Sequence, residues 1–392
     1  MAGLAAADSL RRAGAQVLVF EARDRVGGRV WSRELPNGAV IEMGAEFILP
    51  GSSVLLGMVR RFELGLWDKG MRYGDREPRG GIGVDPPSLL EATRVVASAL
   101  PRASHRPAAE FLEGLPIDAG AREAITARLE VSSANTADAV SAADLKGLAE
   151  HSTARCPSIA GGNQRLAWAL ARELGSALHL RRPVDRVAWR SSGVRAWTGA
   201  VKVDADACVV AVPASVLGRI AFDPPLPAEV EEAVQDIVYG HAAKLFAPLS
   251  NAPETSAILS VPERYWTWTA TGAEGRVQQV VSCFAGSAPA LARLKVSEGP
   301  ATWLESLRRL RPDLAIDAAG AVLSTWDDDP WVGAAYSTST PRGPDAATLA
   351  QPIGPFVFCG EHTAGPLSAL MEGALRSGVR AAEQVLARGH GD

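Results

Sequence analysis

The sequence predicts an α/β protein built from two interleaved domains, and three observations carry that reading. The chain opens with a helix that leads into a short β-rich run. It closes with an apolar strand that leads into a long amphipathic helix. Between these ends lie a mostly helical stretch (54–150) and a mostly β stretch (240–284). A helix–strand unit at one end and a strand–helix unit at the other suggest that both termini build one parallel sheet.

Composition narrows the class. Of 392 residues, 47% are hydrophobic, enough for a large core. The net charge is -4 with both signs interspersed, which argues against a nucleic-acid or anionic-membrane partner. Cys156, Cys208, Cys283 and Cys359 lie far apart and form no C-x-x-C pair, so they read as structural thiols rather than metal ligands. No apolar run approaches the roughly 18 residues that span a bilayer. The opening "MAGLAAADSLRRAGAQ" has no basic segment ahead of an apolar one. The expectation is therefore a cytoplasmic protein without a secretory leader.

In chain order, residues 2–13 read as a helix with Leu4 and Leu10 on an alanine-rich face, ended by Gly14. "QVLVFEA" follows as a β-rich run that reaches Glu21. Pro36-Asn37-Gly38 separates two strand-like runs and predicts a hairpin. The helical stretch from Val54 is interrupted by "GDREPRGGIGVDPP". In "SIAGGNQRLAWALARELG" a glycine pair opens a helix, and "VDRVAWR" and "ACVVAVP" read as strands. "KLFAPL", "YWTWTA" and "VQQVVSCFA" supply the β region, and helices follow at about 286–295 and 299–310. "GAVLSTW" and "FVFCGE" are late strands, and "LMEGALRSGVRAAEQVLA" is the closing helix.

Several of these residues suit a dinucleotide. In such a fold a glycine-rich turn opens a helix toward the diphosphate, and an acid at the end of the second strand bonds the ribose hydroxyls. Gly3 fits the last glycine of G-x-G-x-x-G, where a side chain would obstruct helix–strand packing, and Glu21 fits the acid. The first strand and the first two glycines of that pattern are missing from the chain. The expected consequence is weaker cofactor binding and a less stable sheet, and a start placed too far downstream is the simplest account.

"EARDRVGGRVWS" followed by "NGAVIEMGAEFI" resembles the flavin monoamine oxidase and polyamine oxidase family. "FCGEHTAGPLSALMEGALRSGVRAA" resembles its closing FAD motif. The resemblance implies the amine oxidase fold: a Rossmann-like FAD-binding domain (1–75, 155–222 and 340–392) and a substrate domain with a mixed or antiparallel sheet (76–154 and 223–339). It implies FAD contacts from Arg23, Gly27, Gly28, Arg29, Gly44, Ala45 and Glu46 near the N-terminus. Val184 in mid-chain and Trp326, Gly360, Glu361, Met371, Glu372 and Ala374 toward the C-terminus complete the set, with Gly373 inside the same motif. Glycines admit close backbone approach, and an arginine neutralises a diphosphate. Lys244 matches a lysine that holds a water against flavin N5, and Tyr336 matches one aromatic wall through which the amine approaches. The implied reaction moves a hydride from the amine's α-carbon to flavin N5, with dioxygen as the final acceptor.

This chain also departs from the pattern. Ala335 stands where covalent members carry the cysteine that bonds the flavin, so non-covalent FAD is expected. Leu370 stands where many members place a second cage tyrosine, leaving Trp266, Trp268 or Trp331 as candidates for another wall. Phe47 falls near a position where the similar L-amino-acid oxidases carry a carboxylate-binding arginine, which argues against an amino-acid substrate unless another arginine serves. A flavin dehydrogenase or desaturase acting on a carbon skeleton, and a non-catalytic relative, are the alternatives. Monomer and homodimer both stay open.

Overall fold

The computed structural model describes residues 1–100, 106–150, 153–251, 253–272, 275–342 and 346–388. Its first helix, Ala2–Arg12, buries Ala2, Leu4, Ala5, Ala6, Ala7 and Leu10, and Gly14 turns the chain at φ +89°. The alanines matter because this helix lies along the closing helix, Met371–Arg388. A Cβ on Gly378 would fall 2.2 Å from the carbonyl oxygen of Ala2, so the two backbones meet where only glycine fits. Asp8, buried on the same helix, takes both guanidinium nitrogens of Arg61, at 2.5 and 2.9 Å.

The expected single sheet is two parallel pairs instead. Val19–Phe20 pairs with Leu178–His179, and Cys208–Val210 pairs with Phe356–Phe358. Among the described residues no strand joins them, and both outer edges of each pair lack a ladder partner. A large cavity reaches between them, lined by Val17 and Val19 on one side and Val209 and Ala211 on the other. The β-rich run at 16–22 is correspondingly short, because a strand without a second neighbour keeps few ladder bonds.

The hairpin forms as its turn chemistry predicts. Ser32–Glu34 pairs with Val40–Glu42, Gly38 N–H donates to the Leu35 carbonyl, and Gly38 sits at φ +80°. Helices Pro86–Ala99, Ala108–Glu113, Ala119–Ser133 and Leu145–Glu150 gather around Leu112, Leu129 and Leu145. Asp85 caps the first of them at the Ser88 N–H, and Asp118 caps the third at Gly120 and Ala121.

A six-stranded sheet dominates the second half. Its order is Val322–Thr325, Ala242–Pro248, Val280–Gly286, Tyr265–Thr269, Ser256–Ser260 and Glu77–Arg79. Only the last pairing is parallel; the rest are antiparallel. Side chains alternate across a strand. Leu245, Tyr265 and Cys283 therefore face the helices Ala288–Arg293 and Ala301–Leu310, where Trp303 and Leu307 complete a core. Their neighbours Lys244, Trp266, Trp268 and Phe284 line the cavity on the opposite face. The edge strand Glu77–Arg79 lies inside the Gly/Pro-rich stretch that reads as a loop. Pro78 is tolerated there because an edge strand has donors to spare.

Candidate active site

One cavity of about 1380 Å³ runs through the molecule. Its wall includes Gly3, Glu21 and Val184, Gly27, Gly28 and Arg29, and Lys244, Trp266, Trp268 and Tyr336. Residues far apart in sequence thus share one channel.

Gly3 lies in the first turn of the opening helix, where a Cβ would come within 3.0 Å of the Ala211 Cβ. Glu21 directly follows its strand and accepts the Arg23 N–H. Gly27 and Gly28 have φ of +106° and +60°, a backbone conformation that L side chains rarely adopt. Arg23 reaches Asp329 at 2.6 Å through one guanidinium nitrogen, while its buried Nη2 has no partner. Arg29 donates to the Ala335 carbonyl at 2.7 Å and to Glu361 at 2.8 Å. Glu361 also accepts the N–H groups of Ser337 and Ala369. Burial pushes its carboxyl up, but Arg29 and these bonds outweigh burial and hold it below the usual range.

Gly44 shows why no other residue stands there: a Cβ would sit 1.8 Å from the Arg29 carbonyl oxygen. Ala45 donates its N–H to that same oxygen. Trp326 is buried against the channel, with its ring centroid 6.2 Å from that of Trp31. Gly360 gives its N–H to Ser377 Oγ. Met371 and Ala374 line the channel at the N-terminus of the closing helix.

Glu372 departs from its expected place. It is 2% exposed and absent from the cavity wall. Its carboxylate accepts the N–H groups of Val54 and Leu55 and pairs with Arg376, so it caps the helix Ser53–Arg61. Four orphan donors at a helix start are a strong demand, and an acid meets it well.

Lys244 has the partner that a buried ammonium requires. Its Nζ donates to Glu46 at 2.7 Å, to the Glu42 carbonyl at 2.6 Å and to the Gly44 carbonyl at 3.1 Å. Glu46 also holds Lys69 at 2.9 Å, so one carboxylate bridges two buried ammonium groups. Burial would raise the Glu46 carboxyl, but the two lysines together bring it down to about 2. Beside them Glu42 is pushed up by burial to about 7, although Ser32 and the Asn163 N–H bond it.

Beside Lys244 the cavity is walled by aromatic rings that form a chamber. Trp266 and Trp268 stack with ring centroids 4.3 Å apart, and Phe47 and Tyr73 pack on Trp266 at 5.3 and 5.9 Å. Tyr336 donates its hydroxyl to the Ser132 carbonyl, and burial raises its phenol. Trp331, Leu370 and Ala335 line the channel as well. Sequence reasoning missed Lys69, Tyr73, Arg76 and Ser132. Lys69, Tyr73 and Ser132 fall in the stretch that reads as mostly helical and Arg76 in its Gly/Pro-rich interruption, and no spacing marks any of them.

The furnishing suits a dinucleotide. It offers an acid for ribose hydroxyls, two left-handed glycines beside an arginine, an orphaned buried guanidinium nitrogen and a helix N-terminus on one channel. Among the described residues no group of three or more potential ligands is placed to hold a metal ion, and no helix is long and apolar enough to cross a membrane.

The comparisons with known proteins agree. The family model for flavin containing amine oxidoreductase matches residues 1–79 and 97–386. The chain is similar to putrescine oxidase of Kocuria rosea, at 27% identity over 99% of this chain and 94% of that protein. It is also similar to L-amino acid dehydrogenase of a Synechocystis species, at 24% identity over 98% and 93% of the two chains. Its backbone matches the solved structure of putrescine oxidase bound to putrescine with a TM-score of 0.84, at 24% identity and 99% and 97% coverage. Cyclohexylamine oxidase from Brevibacterium oxydans matches with a TM-score of 0.84 at 21% identity and the same coverage. Both structural likenesses identify the fold as that of the amine oxidases. With nearly the whole chain covered by the family model, and with a channel furnished for a dinucleotide, this chain belongs to the flavin-containing amine oxidoreductases.

Proposed function

We propose that this protein oxidises a small amine at the carbon next to nitrogen, with FAD held non-covalently and dioxygen as the acceptor. The continuity of one channel, from Glu21 and Val184 to the aromatic chamber beside Lys244, is the observation that carries the reading. Glu21 would bond the ribose, and Gly27, Gly28, Arg23 and Arg29 would meet the diphosphate. Gly44, Ala45, Glu46, Trp326, Gly360, Glu361, Met371 and Ala374 would flank the ring system. When bound, FAD supplies a two-electron acceptor that takes a hydride from the α-carbon and is reoxidised by dioxygen to give peroxide.

The protein's own part is placement and exclusion of water. Trp266, Trp268 and Tyr336 give a dry, electron-rich chamber that draws an amine in over ring faces. A neutral amine that loses hydride becomes an iminium ion, which hydrolyses after release, so no acid–base dyad is required. Lys244 gives its three donors to Glu46 and to the Glu42 and Gly44 carbonyls, so holding a water at the reacting end would require it to release one of these bonds. The same reading assigns 1–75, 155–222 and 340–392 to the FAD domain and 76–154 and 223–339 to the substrate domain. Cytoplasmic residence, in keeping with four free cysteines, belongs to it too.

The visible spectrum of the purified protein tests the proposal. Flavin bands that move to the supernatant on acid precipitation, and that bleach when amines are added without oxygen, are expected. A protein that stays colourless with added FAD, or a flavin that no amine reduces, would refute it.

A further inference from the structure

Four little-exposed cations on or beside the channel each rest on a carboxylate. Lys69 and Lys244 share Glu46, Arg29 has Glu361 and Arg23 has Asp329. Arg76 is the exception. It immediately precedes the edge strand Glu77–Arg79 and lines the aromatic chamber, and it is 7% exposed. Its guanidinium carbon lies 4.2 Å from the Trp266 ring centroid and 4.9 Å from that of Tyr73. Nη1 donates to Ser132 Oγ at 2.8 Å, and Nε is buried with no partner. Among the described residues no carboxylate forms an ion pair with it. Arg128, on the helix Ala119–Ser133, adds a second positive charge nearby.

A desolvated guanidinium is expensive to keep unless an anion completes it, and aromatic faces recover only part of that cost. Its fork matches a carboxylate in shape as well as charge. The same charge repels a second ammonium, so this chamber is poorly suited to a diamine. We propose that Arg76 binds the carboxylate of the substrate, and that the substrate class is a small amino carboxylate rather than a simple amine. The expectation drawn from Phe47 is thereby reversed, with a different arginine supplying the anion site. The placement is consistent: Lys244 lies 5.8 Å from the Trp268 centroid, so one stacked indole pair carries both the lysine and the arginine. A short amino acid seated on Arg76 keeps its amine-bearing carbon in the same chamber.

This inference rests on the oxidase reading for its chemistry but not for its binding step, and the experiment separates the two. Calorimetric titration of the purified protein with small carboxylates, from acetate to phenylacetate, is compared with their isosteric alcohols. In parallel, flavin reduction is followed with pairs of amino acids and their decarboxylated amines. The wild type should bind at least one carboxylate at least tenfold more tightly than its alcohol. It should prefer an amino acid over its amine by at least about 100-fold in kcat/KM, since a site built around a polar group can reject an analogue lacking it by about 10^4-fold. Arg76→Met should collapse both preferences, and Arg76→Lys, which keeps the charge, should restore part of each. Melting curves on both variants establish that the fold is intact.

If no carboxylate binds better than its alcohol, or if Arg76→Met keeps the preference, the anion site is refuted even where amines reduce the flavin. If carboxylates bind through Arg76 and no amine of either kind reduces the flavin, the anion site stands and the oxidase reading falls.

Discussion

Replacing Glu46 by glutamine tests the charge cluster at the heart of the channel. The carboxylate is 8% exposed and lies between the Lys69 and Lys244 ammonium groups, at 2.9 and 2.7 Å. Its carboxyl titrates at about 2 in the folded protein, against an ordinary 4.5. At about 1.4 kcal/mol per unit, the ionised form contributes about 3 kcal/mol to stability at neutral pH. Glutamine keeps the shape but leaves two buried ammonium groups facing each other, and breaking a buried pair typically costs about 3–5 kcal/mol. Glu46→Gln should therefore lose about 3 kcal/mol in urea unfolding.

The sign with pH follows from the depressed value. The Glu46 contribution is fully present above about 4.5 and is lost as pH falls toward about 2. The gap between wild type and variant should narrow across that window. Adding Lys69→Met to the variant removes the repulsion and should recover a substantial part of the loss. A variant within about 1 kcal/mol of wild type, or a gap independent of pH, would refute the idea that this carboxylate holds the two lysines in place.

Three further outcomes follow from the geometry. Gly44→Ala should lower both the melting temperature and the flavin content of the purified protein, because the new methyl would collide with the Arg29 carbonyl oxygen at 1.8 Å. Glu372→Ala should cost about 1–2 kcal/mol in urea unfolding through loss of the cap on Val54 and Leu55. FAD affinity in the same variant, measured by titration, should stay within a few-fold of wild type if the residue acts as a cap. The thiols of Cys283 and Cys359, pushed up to about 12 by burial, should react with a thiol reagent only after denaturation. Cys156, pushed up to about 11, should behave the same way.

Some of this molecule is written locally. Pro36-Asn37-Gly38 makes its turn because proline and a left-handed glycine set those backbone angles within a few residues. The opening and closing helices are legible because an apolar stripe and small residues recur at helical spacing. The period of two in "KLFAPL" and "YWTWTA" already places Lys244, Trp266 and Trp268 on alternate faces from Leu245 and Tyr265.

Other features exist only once distant segments meet. Glu46 finds Lys69 and Lys244 across two chain crossings, and no spacing encodes a shared carboxylate. Glu372, which sits inside a recognisable motif, serves a helix more than 300 residues earlier, and nothing in its neighbours indicates that direction. Arg76 belongs to a charged, glycine-rich stretch that reads as surface loop. Only the pairing of Glu77–Arg79 with Ser256–Ser260 brings its guanidinium against Trp266. The sequence by itself determined the periodicities, the turns and the family, because those depend on residues near one another along the chain. Burial, the ion pairs and the placing of Arg76 against Trp266 with no ion-paired acid among the described residues were decided by tertiary structure, because desolvation and Coulomb energy depend on what surrounds a group in space.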